Sequence, residues 1–264
     1  ASLQCQRHDF VLHAVPCVDR HNSRTIRASA RHGPVIAWSY YAAMLLRAEH
    51  VITCHIHPFA GKQETIMKSI CVYCGSSPGG SEVYAAGARA LAQQMVEDNI
   101  ALVYGGGNVG LMGIIASEVM RLGGEATGVI PKALLDKELG HHGLTRLHIV
   151  KDMHERKAMM AELSDGFIAM PGGMGTLEEL FEVLTWAQLG FHYKPIGLLN
   201  VSGFYDNLIA FIEHLVSQRF LTAEQALLMM HESDPAALVQ RFKSFKPSYI
   251  NKWSERSPAD QKLS

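Results

Sequence analysis

Ala169-Met170-Pro171-Gly172-Gly173-Met174-Gly175-Thr176-Leu177-Glu178-Glu179 carries a short apolar run into a glycine-rich turn that opens directly into a helix. Glycines at 172, 173 and 175 let consecutive backbone N–H groups face one point with no Cβ in a ligand's way, the construction of an anion-binding turn. Thr176 is placed to cap the following helix, whose free N–H groups and positive dipole end favour negative charge. Glu178 and Glu179 then fall in its first turn. The same letters, Thr176-Leu177-Glu178-Glu179, also spell a capping box in which Glu179 only reaches back to the Thr176 amide. Both readings of Glu179 stand at this level.

Outward from this stretch, the chain from Ser69 onward alternates short apolar strands with amphipathic helices. The expected strands are 70–74, 101–104, 125–130, 146–150, 166–170 and 195–199. Helices are expected at about 82–98, 111–122, 153 onward (capped by Asp152), 177–189 and 204–218. Shorter ones start at Thr222 and at Asp234-Pro235, with a short helical or irregular piece at 134–139. This alternation predicts an α/β fold of three layers, a mostly parallel sheet covered by helices on both faces. Glycine-rich turns follow the strands at Gly75-Ser76-Ser77, at Gly105-Gly106-Gly107 and at Gly172-Gly173, so all lie at the sheet's carboxyl edge, where such folds bind ligands.

Residues 1–66 keep no period of 2 or 3.6, and the compact domain is expected to span 67–245, with 1–66 an extension and 246–264 a polar tail. With 24 basic and 25 acidic residues, the chain has no electrostatic footprint for nucleic acid or a membrane surface. The longest apolar run, Val35 to Leu46, is too short to span a bilayer. Five scattered cysteines argue against a disulfide framework and for a reducing, cytoplasmic setting. Cys71 and Cys74 match C-x-x-C but sit in a strand, where core packing is the expected role.

Rival chemistries are weaker. Gly105-Gly106-Gly107-Asn108-Val109-Gly110 fits G-x-G-x-x-G, yet Ile130-Pro131-Lys132 stands where a dinucleotide fold needs an acidic residue for the ribose. No Walker lysine follows any turn, and no metal-ligand set is legible, so neither a metal nor another cofactor is expected. Gly75, Ser76, Gly106 and Gly107 are therefore candidate contacts for a phosphate or a sugar.

Arg156 and Lys157 stand near the start of a helix, where cations oppose the dipole; something anionic or chemical must compensate. Met153-His154-Glu155-Arg156-Lys157 followed by Pro171-Gly172-Gly173-Met174-Gly175-Thr176-Leu177-Glu178-Glu179 resembles the LOG ("Lonely Guy") family of cytokinin riboside 5'-monophosphate phosphoribohydrolases, with its PGGxGTxxE signature. The resemblance runs from Ile70 to the region of Phe242 and excludes residues 1–66.

It implies a Rossmann-like fold, a homodimer, and hydrolysis of a nucleoside 5'-monophosphate, a cytokinin ribotide or AMP, to the free base and ribose 5-phosphate. By the same resemblance Arg156 and Glu179 are the catalytic pair. Glu138, Lys157, Gly173, Met174, Gly175, Thr176, Leu177, Glu178 and Thr185 fall at substrate-binding positions, and Gly172 joins them in the turn. A nucleotide-binding module without turnover and a nicotinamide-dependent oxidoreductase are the alternatives. A lysine decarboxylase label attached to some relatives finds no distinctive pyridoxal-phosphate constellation here. Held ionised by the helix dipole, Glu179 is expected to serve as base, nucleophile or charge stabiliser rather than as proton donor.

Overall fold

In the computed structural model, the described residues are 67–138, 140–141 and 143–247, the side chains of 136–138 excepted. Expectations for 1–66 and for 248–264 of the tail lie outside them. Among the described residues there are seven strands: β1 (Ser69–Tyr73), β2 (Ala101–Tyr104), β3 (Ala126–Pro131), β4 (Arg146–Val150), β5 (Gly166–Ala169), β6 (Ile196–Leu199) and β7 (Met229–Glu232). Every pairing is parallel, in the order β4-β3-β2-β1-β5-β6-β7. Parallel strands need crossovers, supplied by α1 (Glu82–Glu97), α2 (Gly110–Arg121), α3 (Lys132–Glu138), α4 (Met153–Glu162), α5 (Met174–Gln188), α6 (Asp206–Ser217) and α7 (Ala223–Ala226); α8 (Pro235–Lys243) closes the described fold.

Two apolar layers follow from the alternation of side chains along each strand. On one face Ile70, Val72, Leu102 and Tyr104 pack with Leu91 and Met95 of α1, Ile115 of α2 and Phe242 of α8. On the other, Cys71, Val103, Val129 and Phe167 pack with Met160 of α4, Leu180 and Val183 of α5, and Ile212 of α6. The central strands are buried on both sides, which explains why β5 and β6 are apolar without alternation. Cys71 and Cys74 are buried free thiols, each pushed to higher pKa by burial first and the Glu179 charge second. They pack the core as expected.

Two differences from the sequence expectations matter. Strand β7 was not legible: Met-Met-His-Glu has no strand signature and extends because it pairs with β6, Ile196 opposite Met229. Helix α5 begins at Met174 rather than at Leu177, because Gly173 takes the extended N-cap conformation and Met174, Gly175 and Thr176 are already helical. Among the described residues no helix is long and apolar enough to cross a membrane.

The strand order reverses at β1. From it the chain steps outward through β2, β3 and β4, then returns to β5 on the other side. The loops leaving β1 and β5 therefore part at their carboxyl ends and open a crevice at the switch point.

Candidate active site

The three glycine turns lock together at this crevice. Gly75 donates its amide to the Pro171 carbonyl at 3.1 Å and accepts from the Leu111 amide at 3.0 Å, so the β1 loop is tied to the β5 turn and to the start of α2. Gly110 has φ +59°, and a Cβ there would lie 2.2 Å from the Ser76 backbone, so only glycine permits this approach. The crevice, about 250 Å³, is lined by Gly75 to Gly79, Leu111, Pro171 to Gly173 and the rings of Tyr84 and Phe204.

Among the described residues no group accepts from the amides of Gly172, Gly173, Met174, Gly175 and Thr176; the first amide bonded within the turn is Leu177, to the Gly173 carbonyl at 3.2 Å. These converging donors sit on a helix N-terminus, the arrangement that takes phosphate. The glycines divide the work. None of 172, 173 and 175 has left-handed φ. At Gly173 and Gly175 an added Cβ would meet nothing, so open space for a ligand lies there, whereas at Gly172 it would lie 2.1 Å from the Thr176 Oγ1. Thr176 is 4% exposed, and its hydroxyl has no partner among the described residues.

Thr176 is the third residue of α5 and does not cap it, so the Thr176–Glu179 capping box does not form. A true capping box does form at Thr222 and Gln225. Glu179 instead lies in the second turn, and burial raises its carboxyl from 4.5 to about 7 against the opposing pull of Arg156. The dipole therefore does not hold it ionised: near neutrality both protonation states are populated, which suits proton transfer in either direction. This corrects the expectation that the dipole holds it ionised and so suits it less to donating a proton.

Arg156 comes from α4, which Asp152 caps by accepting the His154 and Glu155 amides, both at 3.0 Å. Its side chain is 8% exposed and spans to the strand ends: Nε donates to the Val129 carbonyl at 3.2 Å and Nη2 to the Gly105 carbonyl at 3.3 Å. A Cβ on Gly105 would stand 1.9 Å from Nη2, so that glycine is the seat of the guanidinium. Among the described residues no carboxylate pairs with Arg156. Its Nη1 donates to the Met153 Sδ at 3.7 Å, and a buried cation held only by neutral acceptors is an unmet demand for an anion.

The other expected site residues are placed as follows. Lys157 clamps α4 to α5, donating to Glu178 at 2.6 Å and Glu182 at 3.0 Å. Burial alone lowers its pKa, but these two carboxylates leave it raised, so it remains a cation with its charge already matched. Ser76 lines the crevice. Met174 is 85% exposed beside the turn and Leu177 is half-buried. Gly106 and Gly107 are buried against the 140–141 segment, through a Gly107–Gly140 bridge and the His141 amide on the Gly106 carbonyl, and so shape the site rather than line it. Glu138 ends α3, and its side chain lies outside the described set.

Thr185 is not brought to the turn. It is exposed, donates to the Phe181 carbonyl at 2.7 Å, and lies about 9 Å further along α5 than Glu179. A larger open hollow of about 440 Å³, lined by Arg89, Asn108, Ser117, Glu118 and Arg121, shares Pro78 with the crevice but is not lined by the Gly172–Thr176 turn, and its Arg121 is already paired with Glu118. Gly105 and the carbonyl of Val129 escaped the sequence reading, since no local pattern announces a seat for a side chain from 51 and 27 residues away.

Comparison with known proteins adds three findings. Residues 112–242 match the family model described as "Possible lysine decarboxylase". The chain is 48% identical over 180 residues to cytokinin riboside 5'-monophosphate phosphoribohydrolase LOG5 of Arabidopsis thaliana, covering 68% of this chain and 79% of that protein. It is 45% identical over 189 residues to the LOG phosphoribohydrolase of Oryza sativa subsp. japonica, covering 72% and 78%. Among solved structures it resembles the protein TM1055, with TM-score 0.53, 19% identity and coverage of 68% and 100%. The Moco carrier protein of Chlamydomonas reinhardtii gives TM-score 0.52 at 20% identity, with coverage of 67% and 96%. The last two share the fold.

Proposed function

Since this chain belongs to the LOG family of cytokinin riboside 5'-monophosphate phosphoribohydrolases, we propose that it hydrolyses the N-glycosidic bond of cytokinin ribotides, of AMP, or of both, releasing the free base and ribose 5-phosphate. The observation that carries this reading is one sheet edge holding three things: unpaired amides for a phosphate, an unpaired buried guanidinium, and a carboxyl with a pKa of about 7. Residues 67–245 form the catalytic domain.

In this reading the substrate phosphate docks on the Gly172–Thr176 amides, with the Thr176 hydroxyl and the Gly75-Ser76 loop alongside. Anchored there, remote binding energy orients the ribose over Glu179. Ionised Glu179 takes a proton from water as the water oxygen bonds to C1' and the C1'–N bond breaks with its electron pair leaving on the base. The base then takes a proton, and the protonated Glu179 can return it. Oxocarbenium-like charge at C1' is met by the same carboxylate. Arg156 supplies a planar fork for the substrate's oxygens. Lys157 acts mainly by fixing α4 against α5 through Glu178 and Glu182.

The protein is proposed to work as a cytoplasmic homodimer. Met174 and Phe181 of α5 and its C-cap Leu189 are 85%, 38% and 37% exposed and lie on the face shared by Glu178 and Thr185, an apolar stripe beginning at the anion turn. A second copy covering this face would bring its own Thr185 within reach of the site, which accounts for a binding position that stands away from the turn within one subunit.

The deciding experiment incubates the purified protein with AMP and with isopentenyladenosine 5'-monophosphate and measures ribose 5-phosphate; the free nucleosides should be poor substrates. Absence of release from both nucleotides overturns the reading. Light scattering on the wild type and on Phe181→Glu tests the dimer, which the charge should split; an unchanged mass removes α5 from the interface.

A further inference from the structure

The residue that precedes the anion turn is held by a side chain to which no role has been assigned. Met170 is fully buried; its amide donates to the Tyr73 carbonyl at 2.9 Å, and its carbonyl accepts from the Tyr205 hydroxyl at 2.6 Å. Pro171 follows, with no N–H and a fixed φ, and its carbonyl accepts from Gly75. The next amide, Gly172, is the first of those left free for a ligand. Between β5 and that amide, Tyr205 supplies the one bond made by a side chain among the described residues.

Tyr205 is in turn fixed. It is 2% exposed, at the start of α6, and its amide donates to Asn200 Oδ1 at 2.7 Å. Asn200 Nδ2 donates to Asp206 Oδ1 at 2.7 Å. Between them the backbone turns through left-handed φ at Ser202 (53°) and Gly203 (73°), a tight loop that points the ring inward. The ring meets Phe204 edge-on, with centroids 4.9 Å apart, and Phe204 meets Tyr84 in the same way at 5.7 Å. Phe204 and Tyr84 line the crevice, so one loop builds its wall and holds its floor. Burial raises the pKa of the Tyr205 hydroxyl, keeping it a donor.

We propose that Tyr205 is a positioning residue for substrate phosphate: its hydroxyl fixes the Met170–Pro171 peptide and thereby aims the free amides of Gly172 and Gly173, which lead into α5. This rests on the proposed function only in taking a phosphate as the anion bound there. Without the hydroxyl, a buried carbonyl loses its partner and the peptide is free to turn toward another, carrying the first amides of the turn with it. Arg156 and Glu179 are held from β2, β3, α4 and the second turn of α5, and do not depend on this bond.

The test is Tyr205→Phe, which keeps the ring, titrated calorimetrically with ribose 5-phosphate and assayed with AMP below the melting transition of both proteins. The Kd for ribose 5-phosphate and the KM should rise together by about three- to ten-fold, the factor one hydrogen bond contributes, with kcat unchanged. Asn200→Ala, which frees the Tyr205 backbone, should shift Kd in the same direction. A merely structural role predicts a lower fraction of active protein with unchanged Kd and KM, and that result overturns the proposal. Tight wild-type binding unaffected by Tyr205→Phe does so too, and leaves the proposed function standing. Wild-type protein that binds no ribose 5-phosphate sinks both.

Discussion

Replacing Glu179 by Gln separates chemistry from folding because the two effects have opposite signs. In the folded protein, burial raises this carboxyl from 4.5 to about 7, so between those values the folded state holds a proton that the unfolded state has released. Its contribution to stability is intact below pH 4.5 and is lost as pH rises through 7. A displacement of this size corresponds to about 3 kcal/mol of destabilisation once Glu179 is fully ionised. Gln is isosteric, stays neutral and escapes that cost. At pH 8.5 Glu179→Gln should therefore be more stable than the wild type by about 3 kcal/mol, a melting rise of roughly 5–10 °C, and at pH 4.5 the two should melt together. Calorimetric melts across this range measure the difference. Ribose 5-phosphate release by Glu179→Gln should fall at least about 100-fold, the scale of a lost general base. If the variant is less stable at pH 8.5, or equally displaced at both ends, Glu179 is not the desolvated carboxyl described here. If it turns over normally, the catalytic carboxylate is elsewhere.

The wild-type enzyme should gain kcat/KM as pH rises toward about 7, as Glu179 ionises to accept the proton of water; a rate flat from pH 5.5 to 8 removes it as the base. Gly175→Ala meets no protein atom and should fold with wild-type stability while losing affinity for ribose 5-phosphate, whereas Gly172→Ala collides with Thr176 and should lower the melting temperature. Equal melting shifts for the two would mean that the open side of the turn is not where the ligand comes. Gly105→Ala should unseat the Arg156 guanidinium and reduce kcat/KM about as far as Arg156→Ala does, with the double variant no worse than either; additive losses in that cycle would show that the two residues act separately.

The strands and helices were legible because each is a local pattern: apolar runs such as Phe167-Ile168-Ala169, capping residues such as Asp152 and Ser81, and glycines where a strand must turn into a helix. From these alone came the parallel sheet, the common edge of the three glycine turns and, through the PGGxGTxxE motif, the family. What escaped was set by partners distant in the chain. Strand β7 exists because β6 offers it a ladder. Helix α5 starts at Met174 because Gly173, two residues after the Pro171 carbonyl that Gly75 holds, takes the extended cap that the Thr176 side chain was expected to supply.

That three-residue shift moved Glu179 out of the first turn and away from the capping box, and the packing around β1 then decided its charge. Its carboxyl is desolvated by atoms from separate elements and opposed by a guanidinium seated on the ends of β2 and β3. The sequence by itself determined which groups this protein carries to the sheet edge, because strand, turn and helix signals are written in neighbouring residues. Only the tertiary structure decided how those groups behave there, since desolvation and Coulomb attraction depend on every nearby atom and not on the order in which the chain supplies them.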